Sequence, residues 1–393
     1  MKKSIFFSIL LCGSLMISSV WGQDKKAEPV TLAGSPAAQQ ISAERAAFDA
    51  KLTQYKTNLK SLRALKDEYQ TATPKRKDEI FEKFNPLVKE TEGIHRQLIP
   101  LAITAYKATS GKDMEVAAFL YGMLQWMTVA REDYETAYSI AKTVLSDSLP
   151  PELDVLFAFG AFAAFNVMEL DDAKAWYDIA EKKSAIEKAD AENKLHIREA
   201  IMMALPQYKK FWEDEKKLRA AEATQNLPRV LLKTTKGDIV IELFSKEAPN
   251  AVGNFLTLVS KGFYNDTPFH RVLPYFMAQG GDPTGSGSGG PGYTIPCECG
   301  QDNARMHFRG SLSMAHAGPD TGGSQFFLTF VPTFFLNKKH TVFGRVVEGM
   351  SVLSDLQRID PEGENLPAPD KILEAKILRG EPTEFKKSSV GRR

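Results

Sequence analysis

Phe269-His270-Arg271-Val272-Leu273-Pro274-Tyr275-Phe276-Met277-Ala278-Gln279-Gly280-Gly281-Asp282 brings a guanidinium, an imidazole and an amide together with several large apolar side chains in fourteen residues. Phe269, Val272, Phe276 and Met277 suit a pleated surface, and Gly280-Gly281-Asp282 predicts a turn at its end. Arg271 is permanently charged and rigidly forked. Beside aromatic and thioether walls it can donate hydrogen bonds in a water-poor setting with no protonation step.

Two further blocks follow in order. The first is Gly310-Ser311-Leu312-Ser313-Met314-Ala315-His316-Ala317-Gly318-Pro319, continuing to Ser324-Gln325-Phe326-Phe327. The second is Phe335-Leu336 with His340-Thr341-Val342-Phe343-Gly344. Together the three blocks, within residues 228–379, resemble the cyclophilin-type peptidyl-prolyl cis-trans isomerases. The resemblance implies a closed eight-stranded antiparallel β-barrel capped by two helices, with its site on the outer face. It implies a cofactor-free isomerase acting on proline bonds in unfolded or flexible polypeptides.

The resemblance also carries roles onto residues. Arg271 matches the catalytic arginine, and Phe276, Met277, Phe327 and Leu336 match the lining of the proline pocket. Gln279 matches a glutamine that bonds the substrate or orients the arginine, and Gln325 a further substrate contact. His340 stands at the pocket's far edge, and Ala315 and His316 match residues that pair with the peptide backbone. His270 is either a substrate contact or scaffold. Two positions depart from the pattern: His316 replaces a common asparagine, and Phe335 stands where many eukaryotic members carry tryptophan. Phenylalanine lacks the indole donor, so weaker binding of the inhibitor cyclosporin is implied.

The chemistry asks little else. Amide resonance raises a barrier of roughly 18–20 kcal/mol to rotation, and both isomers are accessible only before proline. A catalyst must favour the twisted bond over the planar one, which needs no nucleophile and no metal.

Local patterns around the blocks agree. Val230 and Leu232, then Ile239, Ile241 and Leu243, flank Thr235-Lys236-Gly237-Asp238 as a hairpin. A helix is predicted over 248–259, with Pro249 tolerated near its start, another over 350–358, and a last strand over 371–378. Upstream, residues 41–225 are rich in helix formers with apolar residues at three and four, predicting an all-α domain. Thr73-Pro74 should break its first long helix, and Asn85-Pro86 is a second candidate break. Ala137 and Ala173 lie 36 residues apart in two helical hairpins, which is similar to tetratricopeptide repeats; an irregular bundle is the alternative.

Lys and Arg number 50 against 49 Asp and Glu in 393 residues, so no global field draws the chain to nucleic acid or an anionic membrane. Residues 1–22 read as a secretory signal, with Lys2 and Lys3, an apolar run over 5–20 and Val20-Trp21-Gly22; an uncleaved anchor is the alternative. Residues 23–40 read as a flexible linker and 380–393 as a polar, basic, frayed tail. The expected location is the periplasm, with secretion as the alternative, and no stable membrane insertion once the signal is removed. Cys297 and Cys299 could hold a soft metal with Glu298 and His307, but a loop with two free or oxidised thiols fits the spacing better. Gly285, Gly287 and Gly290 match G-x-G-x-x-G, yet Pro291 and Gly292 follow where a dinucleotide site needs a helix. A different class of function also stands: a chaperone or scaffold whose helical domain binds clients or a protein partner while the barrel only docks peptides.

Overall fold

The computed structural model describes residues 36–388 except 147–148, 194 and 365. The expected signal, most of the expected linker and the last five tail residues lie outside the described residues. Helix α1, Pro36–Thr71, begins inside the stretch expected as linker. It ends before α2, Pro74–Ala108, where Thr73 is extended at φ −65° and ψ 160°, as the residue before a proline should be. The second candidate break does not occur: α2 runs through Pro86 and also through Pro100. Leu52, Leu59 and Leu62 of α1 and Ile80, Phe84 and Leu98 of α2 are all buried. A continuous seam of this kind outweighs the hydrogen bond that each proline removes.

Helix α3, Met114–Trp126, is capped by Asp113, which accepts from the Glu115 and Val116 N–H groups at 3.1 and 3.2 Å. A π-helical turn over Met127–Arg131 follows. Then come α4 (Tyr134–Val144), α5 (Val155–Asn166), α6 (Leu170–Lys182), α7 (Ala185–Asn193), a π turn at Glu199–Ala204, and α8 (Leu205–Glu222). Residues Leu156 to Asn166 of α5 are buried throughout, so this helix is the axis of the region. Gly160 permits the approach of its neighbours, since an added Cβ would lie 3.3 Å from both Ala141 and Trp176. Among the described residues no helix is long and apolar enough to cross a bilayer.

The second half is a curled antiparallel sheet: β1 (Arg229–Thr234), β2 (Gly237–Leu243), β3 (Thr267–Pro268), β4 (Arg271–Leu273), β5 (Met277–Gly280), β6 (Ser311–Met314), β7 (Phe326–Thr329), β8 (Val342–Glu348) and β9 (Lys371–Arg379). Their order is β3-β9-β1-β2-β8-β6-β7-β5-β4. The expected closed eight-stranded barrel is therefore corrected to a nine-stranded half-barrel. Its two edges, β3 and β4, are separated only by Phe269-His270. β3 pairs with β9 and β4 with β5, so the chain passes from one edge to the other, and neither short strand forms a ladder with the other. At this seam Val272 makes an isolated bridge to Ile359. Inside the curl, Leu232, Ile239, Val272, Ala278, Leu312 and Leu328 pack with Phe255 of helix α9, Pro249–Ser260.

Helix α10, Met350–Asp355, is shorter than the expected 350–358. Leu356 turns extended, and the Arg358 guanidinium donates to the Leu353 and Leu356 carbonyls at 3.3 and 2.8 Å, ending the helix. The described part of the tail is held. Asn250 of α9 donates to the Lys386 carbonyl at 3.1 Å, Ser388 N–H to Thr294 O at 2.7 Å, and Phe385 lies 5.7 Å from the Tyr293 ring.

The two halves share a core. Phe308, from the segment before β6, packs among the helices with ring centroids 5.4 Å from Tyr208 and 5.3 Å from Trp212 of α8. Arg309 donates to both Glu135 oxygens at 3.0 Å, and Arg358 reaches Glu132 at 2.7 Å. Glu132 also accepts the Tyr275 N–H at 2.8 Å, and the Tyr275 hydroxyl donates to Val129 O at 2.5 Å. Tyr275 has φ +55°, a left-handed conformation that a tyrosine holds only where its surroundings fix it. The turn that carries Phe276 is thus pinned to the helical region.

Candidate active site

Side chains alternate across a strand, so one register row shares a face. Arg271 of β4 pairs with Gln279 of β5, Gln279 with Phe327 of β7, and Phe327 with Ser313 of β6. The next row, Val272-Ala278-Leu328-Leu312, is the inward one and belongs to the sheet's core. Arg271, Gln279 and Phe327 therefore stand side by side on the outer face. Gly281 ends β5 at φ +83°, where an added Cβ would collide with the Ser324 carbonyl oxygen; only glycine lets the chain turn this close to β7.

The Arg271 guanidinium carbon lies 5.7 Å from the Phe276 ring centroid, and no carboxylate pairs with it among the described residues. Phe276 in turn lies 5.7 Å from Phe335, which is 49% exposed in the turn Phe334–Leu336 that also carries half-buried Leu336. Met277 is buried in β5. Gln279 donates to Gln325 at 2.9 Å, and Gln325 donates to the Gly287 and Gly289 carbonyls at 2.8 and 2.9 Å, tying the glycine loop to the sheet. On the other side His340 stands edge-on to Phe327 at 5.6 Å and stacks on His316 at 4.1 Å. The His340 Nδ1–H donates to Met314 O at 3.0 Å, which fixes the ring, while burial pulls its pKa below the ordinary histidine value. The Ala315 N–H is taken by Gln325 O at 3.0 Å, so this amide is spent within the sheet.

His270 falls apart from the group. It follows the alternation away from Arg271, both its ring nitrogens are buried without a hydrogen-bond partner, and burial lowers its pKa. The metal reading of the cysteine loop finds no ligands. Glu298 accepts from the Asn250 and Ala251 N–H groups at 3.0 and 2.9 Å at the start of α9, and the His307 ring is engaged elsewhere. Among the described residues no three His, Cys, Asp or Glu side chains could hold an ion. A polar cavity of about 340 Å³, lined by Arg219, Arg229, Arg345 and Arg379 with Glu222 and Glu242, shares no residue with the Arg271 group.

One residue named in the sequence only as a possible metal ligand has a different place at the site. His307 is fully buried behind Phe327, with the two rings parallel within 3° at 6.0 Å. Its Nδ1 lies 3.0 Å from Asn337 Oδ1 and its Nε2 2.9 Å from Ser313 Oγ, and its carbonyl accepts the Tyr208 hydroxyl at 2.6 Å. Helix α8 thus braces the wall of the pocket from behind. The available signal was position: His307 stands immediately before Phe308-Arg309-Gly310, where the second block opens.

Burial holds His307 down at about 4 and His95, in the helical core, down at about 3. Both folded-state values lie below the unfolded value of about 6.5. As pH falls below that value the unfolded chain takes up protons that the folded chain refuses, so stability is full above it and is lost toward pH 4. Urea unfolding at pH 4.5 should show several kcal/mol less stability than at pH 7, and His95→Gln/His307→Asn should flatten the slope. An unchanged slope in that variant would refute the assignment.

The sequence that builds this site matches known proteins. Residues 229–377 match the family model described as cyclophilin type peptidyl-prolyl cis-trans isomerase/CLD. A peptidyl-prolyl cis-trans isomerase of Helicobacter pylori is 56% identical over 131 residues, covering 33% of this chain and 80% of that protein. The chain belongs to the cyclophilin-type peptidyl-prolyl cis-trans isomerases. Peptidyl-prolyl cis-trans isomerase B of Bacillus subtilis is 51% identical over 31% of this chain and 85% of its own length. A solved cyclophilin-type isomerase of Cryptosporidium parvum is 35% identical over 39% of this chain and 99% of that one, with a TM-score of 0.37. The family model begins at residue 229, after the last helix of the helical region ends at Glu222.

Proposed function

We propose that the outer-face site around Arg271 catalyses cis–trans isomerisation of X–Pro bonds in flexible polypeptides. The observation that carries this reading is the Arg271 guanidinium, with no carboxylate partner among the described residues, standing over Phe276 in one row with Gln279 and Phe327. The substrate proline seats against Phe327, Met277 and Leu336, with Phe276 and Phe335 closing the side toward Arg271. Apolar walls displace water from the reacting amide, which strengthens a hydrogen bond given there. In the planar amide the proline nitrogen shares its lone pair with the carbonyl; as the bond twists, that lone pair localises and accepts from Arg271. The interaction is stronger in the twisted state than in the planar one, as catalysis requires. Gln279, bonded to Gln325, fills the space beside the arginine and limits where its fork can swing. His316 presents backbone to the peptide beside Ala315.

The wider role follows from the leader. With an apolar signal-like start, the clients are exported proteins and the activity assists their folding in the periplasm. Cell fractionation with N-terminal sequencing of the mature chain tests this; a cytoplasmic chain that retains Met1 refutes it. The repeat-like reading of the helical region rests on the 36-residue spacing of Ala137 and Ala173, both fully buried at helix contacts. For the chemistry, exchange of a proline-containing tetrapeptide is followed with the purified full chain. Marked acceleration over spontaneous exchange is expected, and exchange at the spontaneous rate would leave only the docking and client-holding reading.

A further inference from the structure

Glu132 closes the π-helical turn Met127–Arg131 of the helical region, at φ +53° and 3% exposed. A buried carboxylate needs donors to meet its charge, and those it takes come from the half-barrel. Its Oε2 accepts the Tyr275 N–H at 2.8 Å, and its Oε1 accepts from Arg358 Nε and Nη2 at 3.1 and 2.7 Å. Its carbonyl accepts the Ser354 hydroxyl at 3.1 Å. Each carboxylate oxygen thereby reaches one flank of the Arg271–Phe276 pair. Tyr275 directly precedes Phe276. Arg358 directly precedes Ile359, which exchanges two backbone hydrogen bonds of 2.8 Å with Val272, the residue after Arg271. The Arg358 guanidinium carbon also stands 4.4 Å from the Phe330 ring centroid, and the Phe330 N–H donates to the Phe276 carbonyl at 2.9 Å.

Both flanks need holding. Strand β4 is three residues long, and among the described residues it ladders only with β5. Its other side is met by the single Ile359 bridge. Segments with so few contacts open first. The left-handed backbone of Tyr275 persists only where its surroundings over-determine it. Glu132 takes its N–H, and the Val129 carbonyl takes its hydroxyl. Without the carboxylate, Tyr275 relaxes to negative φ and turns Phe276, and Arg358 no longer fixes the seam beside Arg271. A displacement of about 1 Å at a reacting group is enough to slow catalysis severely. We propose that, given the isomerase reading of the Arg271 site, Glu132 of the helical region is a positioning residue for that reaction. It acts through Tyr275 on the Phe276 ring and through Arg358 and Ile359 on the strand that carries the Arg271 fork. The helical region is then a working part of the isomerase as well as its neighbour in the chain.

Turnover of a proline-containing tetrapeptide by the full chain is followed well below the melting temperature of each variant. Glu132→Ala should lower kcat about tenfold and leave KM within about twofold, since the proline seat itself is built by β5, β7 and the turn Phe334–Leu336. Glu132→Gln keeps an oxygen for the Tyr275 N–H and should lose about threefold in kcat; it carries the test where Glu132→Ala does not fold. In an Arg271→Ala background either substitution should cost less than about twofold more, because its effect runs through the arginine. A merely structural role would lower turnover by the same factor in both backgrounds. Apart from turnover, the Arg271 Nε–H signal in nitrogen-15 NMR spectra, assigned by its loss in Arg271→Lys, should shift and broaden in Glu132→Gln. The positioning role is overturned if the wild type turns over the peptide and the folded variants match it, if the losses add to that of Arg271→Ala, or if the arginine signal is unchanged. A wild type that leaves exchange at the spontaneous rate refutes the isomerase reading instead, and the arginine signal alone then decides whether Glu132 holds Arg271 in place.

Discussion

Arg271→Ala should lower kcat/KM for a proline-containing tetrapeptide by about a hundredfold, the usual cost of removing one preorganised donor aimed at the transition state. Thermal stability should hardly change, because the guanidinium stands over the Phe276 ring and pairs with no carboxylate among the described residues. The loss should fall mainly on kcat. The planar ground state gains little from a donor near a nitrogen whose lone pair is delocalised, so binding of the peptide survives. Arg271→Lys should recover only a small part, since an ammonium on a flexible stem lacks the planar fork that reaches nitrogen and carbonyl together. Phe327→Ala should act differently, raising KM through the loss of the proline seat. A drop of less than tenfold in Arg271→Ala, with the fold intact by circular dichroism, would remove the arginine from the mechanism and leave the apolar pocket as the whole catalyst.

The site was legible in the sequence to the extent that its residues are close along the chain. Arg271, Phe276, Met277 and Gln279 lie within nine positions, and strand alternation alone sorts Arg271 and Gln279 onto one face and Val272 and Ala278 onto the other. The hairpin at 235–238 and the break at Thr73-Pro74 were equally local, one read from turn chemistry and the other from proline sterics. What escaped the reading is carried by contacts distant in sequence. Pro86 should interrupt α2 on local grounds, yet the buried seam with α1 keeps the helix whole. The closed barrel was implied by the family resemblance, whereas closure depends on whether β3 and β4 meet, which no local pattern encodes. Tyr275 was passed over, and His307 was read only as a possible metal ligand, for the same reason: their partners, Tyr208, Glu132 and Val129, lie in another part of the chain. The family match starts only at residue 229, so it does not reach the helical partners in these contacts.

The contact with the largest structural consequence is Arg305, and Arg305→Met should destabilise the whole chain by about 3 kcal/mol or more, the usual cost of stripping one partner from a buried ion pair. Its side chain is 2% exposed. It donates to Glu215 of α8 at 3.0 and 2.8 Å and also to Glu222, with its guanidinium carbon 3.8 Å from the Phe244 ring centroid. Methionine fills similar volume and keeps the contact with Phe244, so the expected loss is electrostatic: two buried carboxylates are left with Arg219 and Arg345 alone. Glu215, already costly to bury, is held below the ordinary carboxylate range chiefly against desolvation, with Arg305 as the largest opposing influence. Adding Glu215→Leu to Arg305→Met should therefore recover part of the loss, and the double-mutant cycle should return a coupling well above 1 kcal/mol. The pair also bolts the helical region to the half-barrel. The wild type should melt in one cooperative transition and Arg305→Met in two, the first belonging to the helices. For the same reason, removing residues 41–225 would leave Arg305 and Arg309 without Glu215, Glu222 and Glu135 and expose Phe308. A single-variant loss below 1 kcal/mol, or strictly additive effects, would mean that the cluster is solvated and that Phe308 alone joins the two halves.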